Sequence, residues 1–515
     1  MAPLRSSLTE IGKDVLTHFY QPVLLEMALT VVHQPYQYST EYIPALQDDS
    51  LLSAEQAFQA FPGGDTVTAI AVLRNNGCPL YMVASNLRNG RELQSTTNFL
   101  YSLLDLIREQ QVMNRKPLLK QVLWHILVFN FSRLKTYVKR LVQCLDDCLE
   151  STQLRRSTEA EQPCRELLVL RERASFSIDD ESFQNDQNKV LCDCETLLKA
   201  IHGARGKNID DAIKSQSSSG QAARPNPWHE LRHYLGRLLS FRQAAEILIS
   251  AFERWLSLFE DFEIVTIPSG LRMSRPLPRS NLTAAEIIYN MAEDEDEAES
   301  YLQQAQGLQS MGLEKIIQKK VNSRTFRPVV HAEVALHTHL LQAGANHPGQ
   351  FWNDCKYTGG SKPTCRLCSY YFFGHRDKVS VRPTHENLYA NWQFPDLLQP
   401  ENRTAQRANK KLLMLMTELV RNDAKRTLDE RCPRGKKHDS NTESAIPAYF
   451  NVGKPVSISE ISSLLRLDED TSVRQVNQYW SAEAERRKYG ELVDNESDDD
   501  ELGNAGASIK ECWFG

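Results

Sequence analysis

The sequence contains little cysteine for its length and no excess of basic residues. Its eleven cysteines are too few and too irregularly spaced, over 515 residues, to form a disulfide scaffold. An odd number of scattered cysteines is typical of an intracellular protein with reduced thiols, some of which bind metal. The net charge of −6 argues against a uniformly basic nucleic-acid-binding protein, although a local basic surface is compatible with it.

Long apolar runs are also missing from the sequence. The first 34 residues contain Asp14, Glu26 and scattered polar residues instead of the continuous apolar core of a secretory signal. The most apolar stretch, residues 123–131, is interrupted by His125 and Asn130 and falls short of the roughly 18–20 residues of a membrane-spanning helix. We therefore expect a cytoplasmic or nuclear protein with no membrane partner.

Residues 1 to about 60 look mostly helical and irregular, and a β-strand pattern follows them. Residues 66–73 are rich in β-branched side chains, and residues 80–84 form a second apolar run. Asn76-Gly77 lies between the two runs, and both residues of an Asn-Gly pair tolerate the positive φ angles of a tight turn. The sequence therefore predicts a β-hairpin over residues 66–86, and a further strand at residues 262–267.

Helical periodicity dominates the segment between these strands. Apolar residues recur at about 3.6-residue spacing over much of residues 96–260, as on the buried face of a helix. A stretch rich in serine, glycine and proline predicts a disordered loop near residues 205–227. The tail, residues 491–515, is acidic and is also predicted to be disordered.

The residues that carry most chemical information lie further along the chain. His331 and Glu333 are followed, thirty-four residues after the histidine, by Cys365 and then Cys368. One histidine and a C-x-x-C pair supply three ligands, one fewer than the four that Zn²⁺ prefers, so the fourth position is open to water. Glu333 is placed two residues from the histidine, where a carboxylate can move the protons of that water.

These residues form the H-x-E…P-C-x-x-C pattern of zinc-dependent nucleobase deaminases. The chain therefore resembles the cytidine-deaminase-like superfamily. Residues 361–371 look like the fungal branch of a bacterial-toxin-like nucleic acid/nucleotide deaminase family. In the superfamily the proline directly precedes the first cysteine, whereas here Thr364 separates Pro363 from Cys365.

The resemblance implies an α/β fold, namely a three-layer α-β-α deaminase-like domain with a mixed sheet, accompanied by a large all-helical insertion or a second helical domain. In such a domain a helix and a β-hairpin precede the His-x-Glu helix. The hairpin predicted here lies some 245 residues before His331, so we expect one deaminase domain that is split by a helical insertion. Alternatively, residues 1–260 form a separate helical domain, and the chain from Phe262 onward supplies the strands.

The split-domain interpretation divides the chain into five segments. They are an N-terminal helix and hairpin (1–95), a helical insertion (96–325), a zinc-binding deaminase core (326–400), a C-terminal helical region (401–490) and the acidic tail (491–515).

The resemblance also implies an activity, which is the zinc-dependent hydrolytic deamination of cytosine or adenine. The substrate would be a nucleotide or a single-stranded nucleic acid, and the role would be in editing, defence or conflict between cells. His331, Cys365 and Cys368 would hold Zn²⁺, and Glu333 would be the catalytic acid and base.

Three further residues are candidates for substrate binding. Asn86 ends the second predicted strand, where cytidine deaminases similarly carry an asparagine that contacts the substrate sugar. Tyr389 and Trp392 follow the cysteine motif, and either ring is suited to stack on a base. Trp392 is equally suited to seal the hydrophobic core.

Two alternatives to the enzyme are left open by the sequence. Cys355, Cys365, Cys368 and His375 have the spacing of a closed zinc site, which has four protein ligands and no catalytic water. The chain is also compatible with a non-catalytic, zinc-stabilised interaction module that binds a protein partner through the helical insertion. Glu333 argues against that module, because a structural zinc ion does not need this carboxylate.

Overall fold

The computed structural model of the chain describes residues 13–33, 67–88, 90–109, 115–153, 161–218, 227–395 and 403–435. These residues have an α/β fold, in which helices pack on both faces of a five-stranded mixed sheet. This is the fold class that the sequence predicts. The acidic tail predicted at 491–515 lies outside the described residues, as do residues 436–490 of the predicted C-terminal helical region.

The five strands are β1 (Thr68–Asn75), β2 (Cys78–Ser85), β3 (Glu263–Ile267), β4 (Tyr357–Gly360) and β5 (Ser380–Val381). They lie in the order β3-β2-β1-β4-β5. β1 pairs antiparallel with both β2 and β4, whereas β2–β3 and β4–β5 are parallel pairs. As a result β2, β3, β4 and β5 run in the same direction, and their carboxyl ends lie at the same end of the sheet.

Fifteen helices accompany this sheet among the residues that the structure describes. α1 (Lys13–His33) precedes the hairpin. Eight helices connect β2 to β3, namely α2 (Gly90–Glu109), α3 (Arg115–Phe129), α4 (Phe131–Gln153), α5 (Glu161–Arg173), α6 (Asp180–Asn185), α7 (Gln187–Gly203), α8 (Asn208–Ser218) and α9 (Pro227–Arg254). The others are α10 (Ala284–Met291), α11 (Glu295–Gln306), α12 (Leu313–Val321), α13 (Ala332–Gln342), α14 (Arg366–Gly374) and α15 (Arg403–Glu430).

The hairpin predicted over residues 66–86 is confirmed as β1 and β2. Asn76 and Gly77 form its turn with φ angles of 49° and 89°, the left-handed values that an Asn-Gly turn requires. The strand predicted at residues 262–267 is also confirmed, as β3. It lies parallel to β2, with Ile267 opposite Ala84.

The hairpin shares its sheet with the strand that precedes the two cysteines. Ala69 of β1 lies opposite Gly360 of β4, and Ile70 lies opposite Gly359. The helices α2–α9 therefore lie, in sequence, between strands of one sheet. The five domain boundaries given above stay predictions.

The two faces of the hairpin pack against different helices, because successive side chains of a strand point to opposite faces. Val72 and Val83 belong to the large apolar core formed with α2–α9. Ala71 and Met82, on the other face, belong to a core that includes Ala332, Leu336 and Leu340 of α13. The hairpin is thus buried on both sides and holds α13 against the sheet.

Part of the loop predicted near residues 205–227 is helical. α8 covers residues 208–218, and Ile209 and Ile213, one turn apart on it, are both buried. Burial of this apolar stripe stabilises a helix within a segment whose serine content suggested a loop. Residues 219–226 lie outside the described part of the chain.

The expectation that no apolar run is long enough for a membrane helix is not met by α1. Its residues Val15–His33 are long and apolar enough to cross a membrane, by length and composition. One such helix is weak evidence for a membrane segment, since 67% of the stretch is buried inside the protein, as in an ordinary core helix. α1 packs along α15, and its Phe19 and Leu24 are fully buried.

Candidate metal centre

Three of the predicted site residues come together at the end of the sheet where the parallel strands finish. The Sγ atoms of Cys365 and Cys368 each lie 3.4 Å from Nδ1 of His331. The three potential ligand atoms all lie within 4.8 Å of one another, and this is the sole such group of three or more His, Cys, Asp or Glu residues within the described residues. The spacing suits one shared metal ion, although these residues are far apart in sequence.

Each ligand is presented by the start of a helix. His331 immediately precedes the first turn of α13, and Cys365 immediately precedes the first turn of α14. The Sγ of Cys365 accepts a hydrogen bond from the backbone N–H of Cys368 at 3.4 Å. Unpaired N–H groups and the positive end of the helix dipole favour a negatively charged thiolate at this place.

The electrostatics of the group fit a cation. Burial opposes ionisation of Cys365, but hydrogen bonding with Cys368 and the charge of His331 outweigh it, so the pKa of this thiol lies well below its usual range. Burial and the neighbouring Cys365 raise the pKa of Cys368. A second thiolate beside the first is unfavourable without a positive charge to offset the repulsion. Two buried thiols and an imidazole in contact therefore have the donor chemistry of a Zn²⁺ site.

Glu333 lies in the first turn of α13 and is buried beside these residues. Burial raises the pKa of its carboxyl group, against the opposing charge of His331. Its Oε2 atom has no hydrogen-bond partner among the described residues. A carboxyl group with a raised pKa and one uncommitted oxygen is suited to accept a proton and then donate it.

Two aromatic residues predicted to bind substrate lie beside the ligands. Trp392 is fully buried and donates its indole N–H to Sγ of Cys368 at 3.1 Å. Such a donor orients a ligand sulfur and stabilises its negative charge. The half-buried ring of Tyr389 lies with its centroid 6.2 Å from that of His331. Stacking of either ring on a base stays a prediction. The burial of Trp392 agrees with its alternative role, which is to seal the hydrophobic core.

Asn86 lies just beyond β2, at the same end of the sheet as the metal centre. Its Oδ1 accepts the backbone N–H of Val67 at 2.8 Å, and its own backbone N–H donates to the carbonyl of Val67 at 3.2 Å. The residue therefore closes the open end of the hairpin. Its predicted contact with a sugar stays a prediction.

The closed four-ligand site is not formed. Neither Cys355 nor His375 belongs to the group of ligand atoms that the described residues bring together. Nδ1 of His375 instead accepts the backbone N–H of Asp377 at 3.1 Å, and its ring packs against that of His337. Burial and the neighbouring His337 lower the pKa of His375 to about 4.

A buried polar network connects the two helices that carry the ligands. Nδ1 of His337, on α13, lies 3.0 Å from the hydroxyl of Tyr371 on α14, and its Nε2 lies 3.0 Å from Oδ2 of Asp377. Lys356 donates to Oδ1 of Asp377 at 2.8 Å. Both ring nitrogens of His337 thus have a hydrogen-bonding partner, so this histidine supports the position of the two helices and does not belong to the group of candidate ligands.

Sequence reasoning missed one residue of the centre, Arg366. It lies between the two cysteines, and its side chain is completely buried. Its carboxylate partners are Glu26 and Asp423, which belong to α1 and α15. No local pattern signals these contacts, because the partners are 340 and 57 residues away along the chain.

Comparison with known proteins gives one result, and it falls on this region. Residues 330–396 match a protein-family model that describes an OTT_1508-like deaminase. The matched segment contains every candidate ligand, Glu333, Tyr389 and Trp392. No curated protein and no solved structure matches the chain.

Proposed function

We propose that this chain is a zinc-dependent hydrolase that deaminates cytosine or adenine in a nucleotide or a single-stranded nucleic acid. The observation that carries the proposal is the pairing of two features within a segment similar to deaminases. The first is the cluster of His331, Cys365 and Cys368, which supplies three of the four ligands that Zn²⁺ prefers. The second is Glu333, buried beside the cluster with an uncommitted carboxylate oxygen.

Each of the predicted site residues would have a separate role in the reaction. His331, Cys365 and Cys368 would hold Zn²⁺, which as a Lewis acid lowers the pKa of water to about 7. Glu333 would take one proton from the attacking water and deliver it to the ring nitrogen of the base. It would then move the second proton, from the added hydroxyl group, to the amino group, which leaves as ammonia. Water adds at the carbon that bears the exocyclic amine, so cytosine becomes uracil and adenine becomes hypoxanthine.

The residues proposed to contact the substrate lie at the same end of the sheet as the candidate metal centre. Tyr389 is proposed to contact the base, because its half-buried ring lies next to that of His331. Asn86 is proposed to contact the sugar, because it lies just beyond β2 at the same end of the sheet as the candidate metal centre. Trp392 would act mainly by orienting Cys368. We propose a cytoplasmic or nuclear setting for this reaction.

The proposal is tested by replacing Glu333→Gln, which keeps the size of the side chain and removes its acid–base function. Zinc content is measured by elemental analysis, and deamination is measured on nucleosides, nucleotides and single-stranded oligonucleotides containing cytosine or adenine. We expect zinc to be retained and the rate to fall by about 10²–10⁴-fold.

Two outcomes would count against this mechanism. One is a Glu333→Gln variant as active as the original protein. The other is a zinc-loaded original protein that deaminates none of these substrates, which favours the second candidate function.

That second candidate is a zinc-stabilised deaminase-like module that binds a protein partner through its helical region. One observation favours it. Leu168 and Val169 are adjacent apolar residues of α5, and their exposed fractions are 54% and 51%. Exposed apolar pairs of this kind occur at protein interfaces, although single exposed apolar residues are common on any surface. The unpaired Oε2 atom of Glu333 has no role in such a module.

A further inference from the structure

Arg366 is an unusual residue to find between two metal ligands, because it is charged and its side chain is completely buried. Its Nη1 donates to Oε1 of Glu26 at 2.6 Å and to Oδ2 of Asp423 at 3.1 Å. Glu26 belongs to α1 and is itself fully buried, and Asp423 belongs to α15 and is almost fully buried. We call Glu26, Arg366 and Asp423 the Arg366 cluster.

The remaining N–H groups of Arg366 bind the chain on either side of the cluster. Nε donates to the carbonyl of Glu386 at 2.9 Å, and Nη2 donates to the carbonyl of Arg434 at 2.9 Å. The backbone N–H of Arg366 donates to the carbonyl of Asn387 at 3.1 Å. The hydroxyl of Tyr370, one turn further along α14, donates to Asp423. The first turn of α14 is therefore fastened to α1, to α15 and to the segment that leads to Tyr389.

The chemistry of the cluster calls for arginine rather than for any cation. A guanidinium group offers five N–H donors in a rigid planar arrangement, whereas lysine offers a compact charge on a flexible stem. Here all three nitrogens of the side chain are used, on two carboxylates and two carbonyls. A buried arginine without these partners would be strongly unfavourable, so the side chain has a defined position.

We propose that Arg366 is a positioning residue of the metal centre. Its cluster sets the place and tilt of the first turn of α14, and with them the Sγ atoms of Cys365 and Cys368 relative to His331. α1 and α15 lie outside the segment that resembles deaminases, yet each supplies a carboxylate that holds this turn. The inference rests on the proposed metal site, and it does not depend on which base is deaminated.

The test uses variants of the full chain. Some weaken the Arg366 cluster, and one weakens a contact that α15 makes with a different helix. Arg366→Lys and Asp423→Asn disturb the cluster directly. Tyr370→Phe removes one hydroxyl and is a milder change in case the charge variants do not fold. The matched control is Lys425→Met, since the ion pair of Lys425, at 2.7 Å, joins α15 to Glu297 of α11 and not to α14.

Two measurements are made on each folded variant. One is the rate at which zinc passes to a chelator, and the other is the absorption spectrum of the Co²⁺-loaded protein, which reports on thiolate geometry. We expect the cluster variants to release zinc about 10-fold faster or more, as is usual for residues that orient metal ligands, and to shift the Co²⁺ spectrum. Lys425→Met should leave both unchanged, even where its melting temperature falls equally.

The failures of the two proposals can be told apart. If zinc release tracks melting temperature across all variants, the control included, Arg366 is merely a structural residue and the positioning role is overturned. If the original protein is folded but binds no zinc, the proposed metal site fails and this inference fails with it. If zinc binds and the cluster variants behave as expected while no base is deaminated, the positioning role stands and the proposed enzyme does not.

Discussion

His331 and Cys365 occupy equivalent positions, each being the residue that precedes the first turn of a helix. At Cys365 the backbone N–H of Cys368, in that turn, donates to the side-chain sulfur, which favours the thiolate that a metal requires. Cys368 lies three residues on, within the first turn of the same helix. At the scale of single residues, the candidate metal centre therefore depends on where two helices begin.

This arrangement predicts which substitutions release zinc. His331→Ala removes one of the three clustered ligands, whereas Cys355→Ala removes a thiol that lies outside the cluster. We expect zinc per chain to fall strongly in the first variant and to stay at the original level in the second. Elemental analysis of protein purified without added metal measures this. Loss of zinc from Cys355→Ala with retention in His331→Ala would instead indicate a closed structural site.

At the scale of secondary-structure elements, the hairpin is the part on which the centre is built. Its turn places Asn76 and Gly77 in the left-handed region, and a Cβ atom at Gly77 would meet no other atom within 4 Å. A substitution of this glycine would therefore lower the free energy of unfolding through backbone strain and not through a steric clash. One face of the hairpin packs against α13, the helix that begins immediately after His331.

Gly77→Ala is predicted to destabilise the protein by about 1–2 kcal/mol, because an L-residue is strained at this φ angle. The free energy of unfolding is measured by urea titration. The control is Gly203→Ala, at the end of α7, where a Cβ atom also meets nothing within 4 Å and φ is not positive. We expect no destabilisation there, since alanine is the better helix former. Equal losses in both variants would contradict the proposed turn strain.

At the scale of the whole molecule, the candidate metal centre depends on contacts from regions spread over most of the described chain. β1 supplies the sheet partner of β4, and α1 and α15 supply the carboxylates that bind Arg366. These contacts join segments that are far apart in sequence. The segment similar to deaminases, residues 330–396, therefore contains β4 and β5 but lacks β1, the other partner of β4, and the carboxylates of Glu26 and Asp423 that bind its buried arginine.

Residues 326–400 expressed alone are predicted neither to fold nor to bind zinc, because α13 would expose Leu336 and Leu340, and β4 would lose its partner β1. Circular dichroism and zinc content check this. Residues 1–450 serve as the control, since they contain every described element. That longer chain should unfold cooperatively and keep its zinc. A folded, zinc-binding 326–400 fragment would show that the core is independent of the hairpin.

Much of the fold follows from interactions between residues close in sequence. The Asn76-Gly77 turn and the helical periodicity of residues 96–260 predict elements that the structure contains. The pairing of Cys365 and Cys368 could also be predicted from local sequence, because their i, i+3 spacing places them on one helical turn. α8 was not predicted, because burial of Ile209 and Ile213 by other helices outweighs the local preference for a loop.

By itself, the sequence determined the chemistry available to this protein, since ligand type and spacing are properties of short segments. Tertiary structure alone decided how that chemistry is supported. It placed Trp392 against the sulfur of Cys368, committed Asn86 to Val67, and buried Arg366 between α1 and α15. These contacts arise from packing between distant segments, and such packing leaves no periodic or local trace in a single sequence from which it could be predicted.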